Sequence, residues 1–297
     1  TTLAVGGVFT NQVGGATTTW TGSTLALNSG TSYSINAKTT GGDLYGTLRL
    51  AASTQIRSWN SSSTVYSLGT SASLYSQNHN SVSGELDIFG TYTRTSGTDY
   101  WNYATDFDGT ALGGSSRQAN VRFDAGATAS FGAGTTLEIL GSATASTSVD
   151  RKSSGNYGLT LASSTINASY YQFRNMNTSG LTLNSSTTIT SIANGDYSID
   201  INGGSGITVA SSTIATNPAL QIFAVKFATS TGISSAFNVT ETGTATSFWR
   251  FKNHYGNYAG EAFDSDPGPS AGNPGYVRWD DSNFVISISG TVYSDAG

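Results

Sequence analysis

Charged side chains are scarce in this chain, at 10% of residues, so the places where they gather are the first candidates for chemistry. Carboxylates beside a cation are the groups that cleavage of a polysaccharide needs for proton transfer and charge stabilisation. The best such group comprises Asp99, Asp106, Asp108, Arg117, Arg122 and Asp124. Because its spacing follows no regular period of the chain, the sequence predicts no shared catalytic face, and we assign no catalytic residue.

Two smaller charge groups have simpler explanations. Asp150, Arg151 and Lys152 are consecutive and are expected at a solvent-exposed corner. A second group recurs near one position of neighbouring repeats and comprises Arg174, Asp196, Asp200 and Lys226. It predicts either an outward row of salt bridges or part of a catalytic cluster. The two histidines, His79 and His254, show no triad or metal-binding pattern.

Hard oxygen ligands surround a Gly/Pro-rich turn near the C-terminal end. They are Asp264, Asp266, Asp280 and Asp281. Carboxylates around a turn suit Ca²⁺, although the spacing is neither that of an EF-hand nor that of the Gly-Gly-x-Gly-x-Asp calcium repeat. We therefore predict no obligatory cofactor and keep a calcium site as the alternative to Asx-turns and solvated carboxylates.

An aromatic segment interrupts the chain between about positions 91 and 119. Exposed Tyr and Trp rings beside Asp are the composition of a sugar-binding surface, and insertions on one face of a repeat protein often bind ligands. The carbohydrate-binding candidates are Tyr100, Trp101, Tyr103, Asp106 and Phe107. The alternative is that these rings supply buried area, against neighbouring strands or against another subunit.

The elements that must position these side chains are indicated by a repeated phrase, Gly-(Leu/Ile)-Thr-(Leu/Val). It occurs at 158–161, 180–183 and 206–209, with a degenerate fourth copy at 232–234, so the steps are 22, 26 and 26 residues. Ser-Ser-Thr follows each of the first three copies. A fixed period of roughly 20–30 residues is the signature of a solenoid, in which each repeat buries its apolar face against its neighbours.

Apolar residues at alternate positions upstream of each glycine predict strands with one buried face. Counting back nine residues from the glycines aligns Tyr171, Tyr197 and Phe223. In the N-terminal half, the phrase at 24–27 recurs at 47–50 and then, more loosely, at 73–75. We therefore predict an all-β fold, a right-handed parallel β-helix (β-solenoid) of about 10 coils, with the handedness that parallel crossovers prefer.

Composition excludes several classes of protein. The chain has no cysteine, so disulfides and thiolate metal sites are excluded. A formal net charge of −5 without a basic patch argues against nucleic-acid binding. No apolar stretch reaches about 18 residues, so no transmembrane segment is predicted. A chain rich in Ser, Thr, Gly and Asn but poor in Lys predicts an extracellular or cell-surface location.

Both ends differ from the repeat. We divide the chain into a strand-like segment at 1–15, the β-helix at 16–244 with its inserted loop, an aromatic-rich cap at 245–283 and a terminal strand at 284–297. The last coil of a solenoid needs a cover, because unpaired strand edges invite association. The candidates for this cap are Trp249, Phe251, Tyr276 and Trp279.

The terminal strands are candidates for assembly. A strand that is donated to the next subunit joins two chains through backbone hydrogen bonds, and a head-to-tail contact of this kind builds filaments. The candidate assembly residues are Leu3, Val5, Val8, Phe284, Ile286, Ile288 and Val292. The alternative is that each strand folds back on its own repeat.

The C-terminal part also carries a resemblance. The segments from Trp249 to Gly256 and from Gly275 to Ser282 resemble a module of large secreted β-helix proteins of bacteria. The final segment, from Ile286 to Gly297, resembles the first strand of a carboxypeptidase-regulatory-like β-sandwich. The resemblance covers about 50 residues and implies a secreted β-solenoid surface protein without implying any catalytic residue.

Three functional hypotheses follow. The first is a non-enzymatic extracellular structural protein, a subunit of a cell-surface filament, stalk or sheath, assembled from copies of itself by strand addition. The second is a carbohydrate- or cell-binding adhesin module that uses the segment from Tyr100 to Phe107. The third is a polysaccharide-active β-helix enzyme, whose activity would depend on Asp106 or Arg122.

Overall fold

The protein is described by a computed structural model. The residues that it describes are 2–6, 19–27, 32–34, 44–50, 55–58, 65–68, 73–75, 85–88, 91–95, 97–101, 120–266 and 275–280. Within them the chain is mostly β-structure, and neighbouring strands pair in parallel. Alternating Ser/Thr and apolar or aromatic residues favour such strands, because one face of each packs inward while hydroxyls face out. The prediction of an all-β fold is confirmed.

The strands and helices have the following bounds. They are β1 (Thr2–Val5), β2 (Thr19–Leu27), β3 (Ser32–Ser34), β4 (Leu44–Leu50), β5 (Gln55–Ser58), β6 (Val65–Leu68), β7 (Ser73–Tyr75), β8 (Glu85–Ile88), β9 (Thr91–Arg94), β10 (Gly97–Tyr100), β11 (Asn120–Phe123), β12 (Thr128–Phe131), β13 (Thr135–Leu140), β14 (Thr147–Arg151), β15 (Tyr157–Ala162), β16 (Thr165–Phe173), β17 (Met176–Asn184), β18 (Thr188–Ile199), β19 (Gly204–Ala210), α1 (Ser211–Thr216), β20 (Gln221–Phe223), β21 (Lys226–Thr229), β22 (Ala236–Thr242), β23 (Trp249–Lys252), a 3₁₀ helix (Glu261–Phe263) and β24 (Val277–Asp280).

These strands form three sheets. The first has the order β1-β2-β4-β6-β9-β12-β15-β17-β19-β22, and its strands follow one another in chain order. The second has the order β3-β5-β7-β10-β13-β16-β14-β11-β8, and β18 pairs with both β16 and β21 beside it. The third contains β20, β23 and β24. The first sheet therefore gains one strand each time the chain returns to it. The second sheet consists of two such series, one through β3, β5, β7, β10 and β13 and the other through β8, β11 and β14, which meet at β16.

One position of the first sheet stays in register across all ten strands, and we call it the apolar ladder. Its members are Leu3, Leu25, Leu48, Tyr66, Tyr92, Ala129, Leu159, Leu181, Ile207 and Val239. Those from Tyr92 onward are fully buried. Each step among these buried members removes apolar surface from water on both neighbours, so the ladder explains why Leu or Ile recurs after the repeat glycine.

The structure corrects two of the predicted repeats. The fourth copy of the phrase, at 232–234, is a turn, and Val239 takes the ladder position beside Ile207 instead. The segment Ser73–Tyr75 lies in the second sheet beside β5, whereas the phrase at 47–50 pairs with β6. Both errors arise because connections of different length lie between strands, so equal spacing does not ensure pairing.

The described part of the segment at 1–15, which was predicted to lie outside the repeat, pairs with it. Thr2–Val5 pairs with β2 so that Leu3 lies beside Leu25 and Val5 beside Leu27. The prediction of an inserted loop at 91–119 is wrong for its first ten residues. Here β9 and β10 are regular members of the first and second sheets. The rest of that predicted loop, 102–119, lies outside the described residues.

An aromatic column forms the core beneath the second sheet. The register pairs Phe173 with Tyr197 and Tyr197 with Phe227, which replaces the predicted alignment of Tyr171, Tyr197 and Phe223. The rings of Tyr197 and Phe227 stack at 5.1 Å with an interplanar angle of 13°. Offset stacking of this kind adds to the area that the rings bury. Phe223 is 41% exposed, so it contributes little to this core.

The Ser-Ser-Thr triplets have a structural role at the ends of the strands that carry the ladder. Thr187 is fully buried, and its hydroxyl donates to the carbonyl of Leu161 at 3.1 Å. Its backbone N–H donates to the hydroxyl of Thr213, which is also buried, at 3.2 Å. These hydroxyls satisfy backbone groups where the chain turns. Neither helix in the described ranges is long and apolar enough to span a membrane.

Candidate binding groove

A sharp bend divides β16 and β18 at equivalent positions. Tyr170 and Asn194 lie side by side there, since Ser169 pairs with Ala193 and Tyr171 with Gly195. Both residues have a positive φ, 53° in each case, and Ala224 continues the bend with a φ of 54°. Asn adopts this left-handed conformation readily, whereas a bulky Tyr in it is strained. The stacked bends form a groove on the outside of the second sheet.

This groove has a volume of about 260 Å³. Its lining comes from five neighbouring strands or the residues beside them, and comprises Ala143, Ser146, Tyr170, Tyr171, Gln172, Asn194, Gly195, Asp196, Ala224 and Tyr255. Because adjacent strands lie about 4.8 Å apart, five of them extend the groove over roughly 19 Å. The groove is therefore long and runs across the strands, in the direction in which the sheet grows.

Polar side chains along one wall share a register. Gln172 lies beside Asp196, Asp196 beside Lys226, and Lys226 beside Tyr255. The ammonium of Lys226 lies 3.1 Å from Asp196 Oδ2, and Arg174 Nη2 reaches the same oxygen at 3.4 Å. We call Arg174, Asp196 and Lys226 the charged row. Three of the four residues of the predicted row thus form salt bridges, and each is partly exposed. The fourth, Asp200, instead accepts hydrogen bonds from the backbone N–H of Asn175 at 2.7 Å and the hydroxyl of Ser198 at 2.8 Å.

The floor of the groove is rigid and neutral. The hydroxyl of Tyr171 donates to the carbonyl of Ile192 at 2.9 Å and lies 3.0 Å from the hydroxyl of Tyr197. Burial raises the pKa of both phenols, so neither is ionised near neutral pH. A Cβ at Gly195 would lie 2.3 Å from the Tyr171 ring, which explains the glycine at this position.

The predicted carbohydrate-binding segment has a different role where it can be seen. Trp101 is fully buried, with its ring 6.4 Å from Phe123 and 5.7 Å from Phe131. A buried indole cannot stack on a sugar, so the prediction for Trp101 is wrong and the packing alternative holds. Tyr100 ends β10, and its side chain is not described. Tyr103, Asp106 and Phe107 lie outside the described residues.

The predicted catalytic cluster is divided in space among its described members. Asp99 is buried against Arg94, at a distance of 2.7 Å. Arg122 lies 3.4 Å from Asp150, so that carboxylate is not merely part of a solvated charge run. These two pairs therefore lie in different strands with different partners. Asp124 directly follows β11, and its backbone N–H donates to the carbonyl of Ile88 at 2.9 Å. The other three members, Asp106, Asp108 and Arg117, lie beyond the part of the chain that the structure describes.

The predicted assembly residues are only partly visible. Leu3 is 44% exposed on β1, and Val5 packs against the core. Within the described residues β1 pairs with its own β2, which is the fold-back alternative. The other candidates, Val8, Phe284, Ile286, Ile288 and Val292, lie outside the described residues.

The predicted cap residues extend the aromatic column into the third sheet. Trp249 and Phe251 are fully buried, and Tyr276 and Trp279 pack against the core at its edge. The rings of Phe251 and Trp279 stack at 4.5 Å with an interplanar angle of 16°. Phe251 also lies 5.7 Å from Phe227, so the C-terminal module shares one core with the preceding strands.

Three of the four predicted calcium ligands are described, and each of these three engages a partner within the chain. Asp266 accepts hydrogen bonds from the backbone N–H groups of Tyr276 and Val277 at 2.6 and 2.9 Å. Asp264 accepts one from the indole of Trp279 at 2.8 Å, and Asp280 lies 3.1 Å from Arg250. Among the described residues, no group of three candidate ligands converges. Asp281 lies outside them.

The sequence pattern did not single out Glu241, which is only 3% exposed. Neither of its carboxylate oxygens has a hydrogen-bond partner in the described part of the chain. Burial, with a smaller contribution from Asp266, raises its pKa to about 7. Burial likewise raises the pKa of Asp264 to about 7, although the hydrogen bond from Trp279 acts in the opposite direction. These two carboxyl groups therefore hold their protons to a higher pH than ordinary carboxyl groups do.

The groove itself was only half anticipated. The charged row was recognised from its recurrence, but Tyr170, Asn194 and Tyr255 were not, because nothing in their spacing marks a bend.

Comparisons of the chain with protein-family profiles, with characterised proteins and with solved structures find no match. The class of protein that the structure itself defines is an all-β protein built from large parallel sheets, with a polar groove across one of them.

Proposed function

We propose that this protein is a right-handed β-solenoid that serves as a non-enzymatic structural element of an extracellular surface, in a filament, stalk or sheath. The observation that carries the proposal is the apolar ladder, which keeps one register across ten strands of a single sheet. Nine steps of about 4.8 Å correspond to a core roughly 43 Å long. Stacked repeats bury a continuous core and leave an extended, rigid outer surface, which is the physical requirement of a stalk or fibre.

The outer surface also suits an exposed location. The chain is rich in Ser, Thr and Asn and only 10% charged, and among the described residues the charged row is paired within the chain. Such a surface is hydrated without a strong net field, so it does not recruit polyanions such as nucleic acid. In this proposal the partners of the protein are copies of itself, and no cofactor is required.

Electron microscopy of the purified protein, without fixative or ligand, tests the structural role. Ordered fibres with an axial repeat are expected if the subunits assemble end to end. Versions that lack 1–15 or 284–297 separate the mechanisms, because strand addition predicts that at least one of them stays monomeric. If both truncated proteins still form the same fibres, assembly does not use these strands. If the full chain gives only dispersed rods at all concentrations, the filament proposal fails.

A second candidate function, ligand binding as an adhesin module, is favoured by the groove. Its lining combines aromatic rings, the amides of Gln172 and Asn194 and the carboxylate of Asp196, which is the kind of surface that fixes a ligand in a defined orientation. This differs from the site that the sequence predicted, since Trp101 is buried. Binding of carbohydrates to the immobilised protein, compared between the unaltered chain and Tyr255→Ala, distinguishes this role from a purely structural one.

A further inference from the structure

We propose that the groove between Tyr170 and Tyr255 binds a neutral polysaccharide, with the chain of sugars lying across the strands. This inference goes beyond a structural role, and it deepens the ligand-binding candidate by naming the chemical class of the ligand. It does not depend on assembly, because every residue that it uses belongs to one chain.

Aromatic rings provide the first argument. Tyr255 is 54% exposed, Tyr170 is partly exposed, and both line the groove. Neither phenol hydroxyl has a hydrogen-bond partner among the described residues. A sugar ring presents an apolar C–H face together with hydroxyls, and Tyr matches this with a flat apolar body and a polar tip. Tyrosines that are accessible and unpartnered therefore offer sugar-sized contacts.

Backbone strain at Tyr170 provides the second argument. A Tyr with a φ of 53° is costly, whereas the equivalent position of the next strand holds Asn194, a residue that tolerates this conformation. A strained conformation costs on the order of 1–3 kcal/mol, and it persists where the surrounding structure or a function requires it. The equivalent positions of the bend hold Asn194 and Ala224, so the conformation itself requires no ring, and the ring of Tyr170 is available to contact a ligand.

The polar groups provide the third argument and indicate a neutral ligand. The side-chain amide of Gln172 has no hydrogen-bond partner in the described residues, so it offers both a donor and an acceptor. Both cations, Lys226 and Arg174, are already engaged by Oδ2 of Asp196, while its Oδ1 has no hydrogen-bond partner among the described residues and can accept one from a hydroxyl. Hydroxyls donate to and accept from such groups without adding charge, whereas an anionic ligand would compete with Asp196 for its two cations.

The shape of the groove distinguishes a polymer from a single sugar. Its lining spans five strands, or roughly 19 Å, while its volume of about 260 Å³ is small for an enclosed pocket. A long, shallow groove contacts several units of a chain weakly and covers none of them fully. Affinity then depends on the number of units that are contacted, so a polysaccharide binds where a monosaccharide does not.

Affinity electrophoresis of the full chain tests the proposal, with native gels that contain a soluble β-glucan, a galactomannan, an arabinoxylan or, for comparison, a polyuronate. We expect retardation by at least one neutral polymer, and little change in it when about 0.5 M salt is added. Tyr255→Ala and Gln172→Ala are each expected to weaken it on the order of tenfold. Phe237→Ala is the matched control, because Phe237 is exposed at 37% on β22 in the other sheet.

Tyr170→Asn separates binding from folding. This change relieves the strain at the bend, so we expect a variant that melts at a higher temperature and yet binds on the order of tenfold more weakly. Retardation by none of the neutral polymers, retardation by the polyuronate alone, or unchanged retardation of the Tyr170 and Tyr255 variants would each overturn the proposal. The structural role is tested separately by microscopy, so failure of one does not imply failure of the other.

Discussion

The guanidinium of Arg94 and the carboxylate of Asp99 lie 2.7 Å apart, and neither side chain is exposed to solvent. The hydroxyl of Tyr92 donates to the other carboxylate oxygen, and Arg94 Nη2 donates to the carbonyl of Thr98 at 3.0 Å. The pair joins the end of β9 to β10, which belong to different sheets. Two charges removed from water are tolerated only because they satisfy each other.

Removing one member of this pair should destabilise the protein strongly. Asp99→Ala leaves the Arg94 cation buried without its anion, and we expect a loss of about 3–5 kcal/mol in the free energy of unfolding. Urea titration measures it. The control is Asp280→Ala, which removes a partly exposed ion pair with Arg250 and should cost less than about 1 kcal/mol. Equal losses of unfolding free energy in the two variants would show that burial does not make the Arg94–Asp99 pair more important than an exposed one.

Replacing Tyr170 with Asn should stabilise the protein by about 1 kcal/mol, because Asn accepts the left-handed conformation that strains Tyr. The reverse change, Asn194→Tyr, places a second strained ring at the same bend and should destabilise by a similar amount. Thermal melting followed by circular dichroism measures both. A stabilised Asn194→Tyr variant would show that the ring itself stabilises the bend.

Substitutions at two glycines distinguish the cost of a steric clash from the cost of backbone strain. Gly180 and Gly203 both have a positive φ, 59° and 70°. A Cβ on Gly180 would lie 2.2 Å from the carbonyl oxygen of Ser205, whereas a Cβ on Gly203 would have nothing within 4 Å. Gly203→Ala should therefore cost only the strain, about 1 kcal/mol, and Gly180→Ala at least about 3 kcal/mol. Equal costs in urea titration would show that β17 and β19 can separate at little cost.

Stability should fall as the pH rises through neutrality. Glu241 and Asp264 have pKa values of about 7 in the folded protein, above their ordinary values of 4.5 and 3.8. The folded state therefore holds more protons than the unfolded state between those values, and it loses stability as the pH rises from about 4 to 7, with the loss complete above 7. Melting temperatures across this range measure it.

Glu241→Gln is the matched variant for this pH dependence. A neutral amide replaces the carboxylate that is forced to ionise in a buried place, so the melting temperature above pH 7 should rise and its dependence on pH should weaken. Glu138→Gln, on β13, serves as a control for the loss of one negative charge. If both variants respond alike, the effect belongs to net charge and not to the burial of Glu241.

Much of the fold could be predicted because a parallel stack repeats its requirements. The phrase that contains Leu159 recurs with Leu181 and Ile207 since each residue meets the same neighbours, one strand away. The phrase at 24–27 and its copy at 47–50 pair as predicted for the same reason. Less of the candidate site could be predicted: the charged row recurs from strand to strand, but Tyr170 and Tyr255 have no sequence pattern in common.

The sequence by itself determined that the chain alternates inward apolar and outward hydroxyl residues with a period that suits stacked parallel strands. The tertiary structure decided which strand lies beside which, as in the placement of Val239 beside Ile207 and of β7 in the second sheet. Alternation shows only which face of a strand is buried, while connections of unequal length change the register. The groove at Tyr170, and the burial of Trp101, Asp99 and Glu241, depend on that register and appear only once the strands are packed.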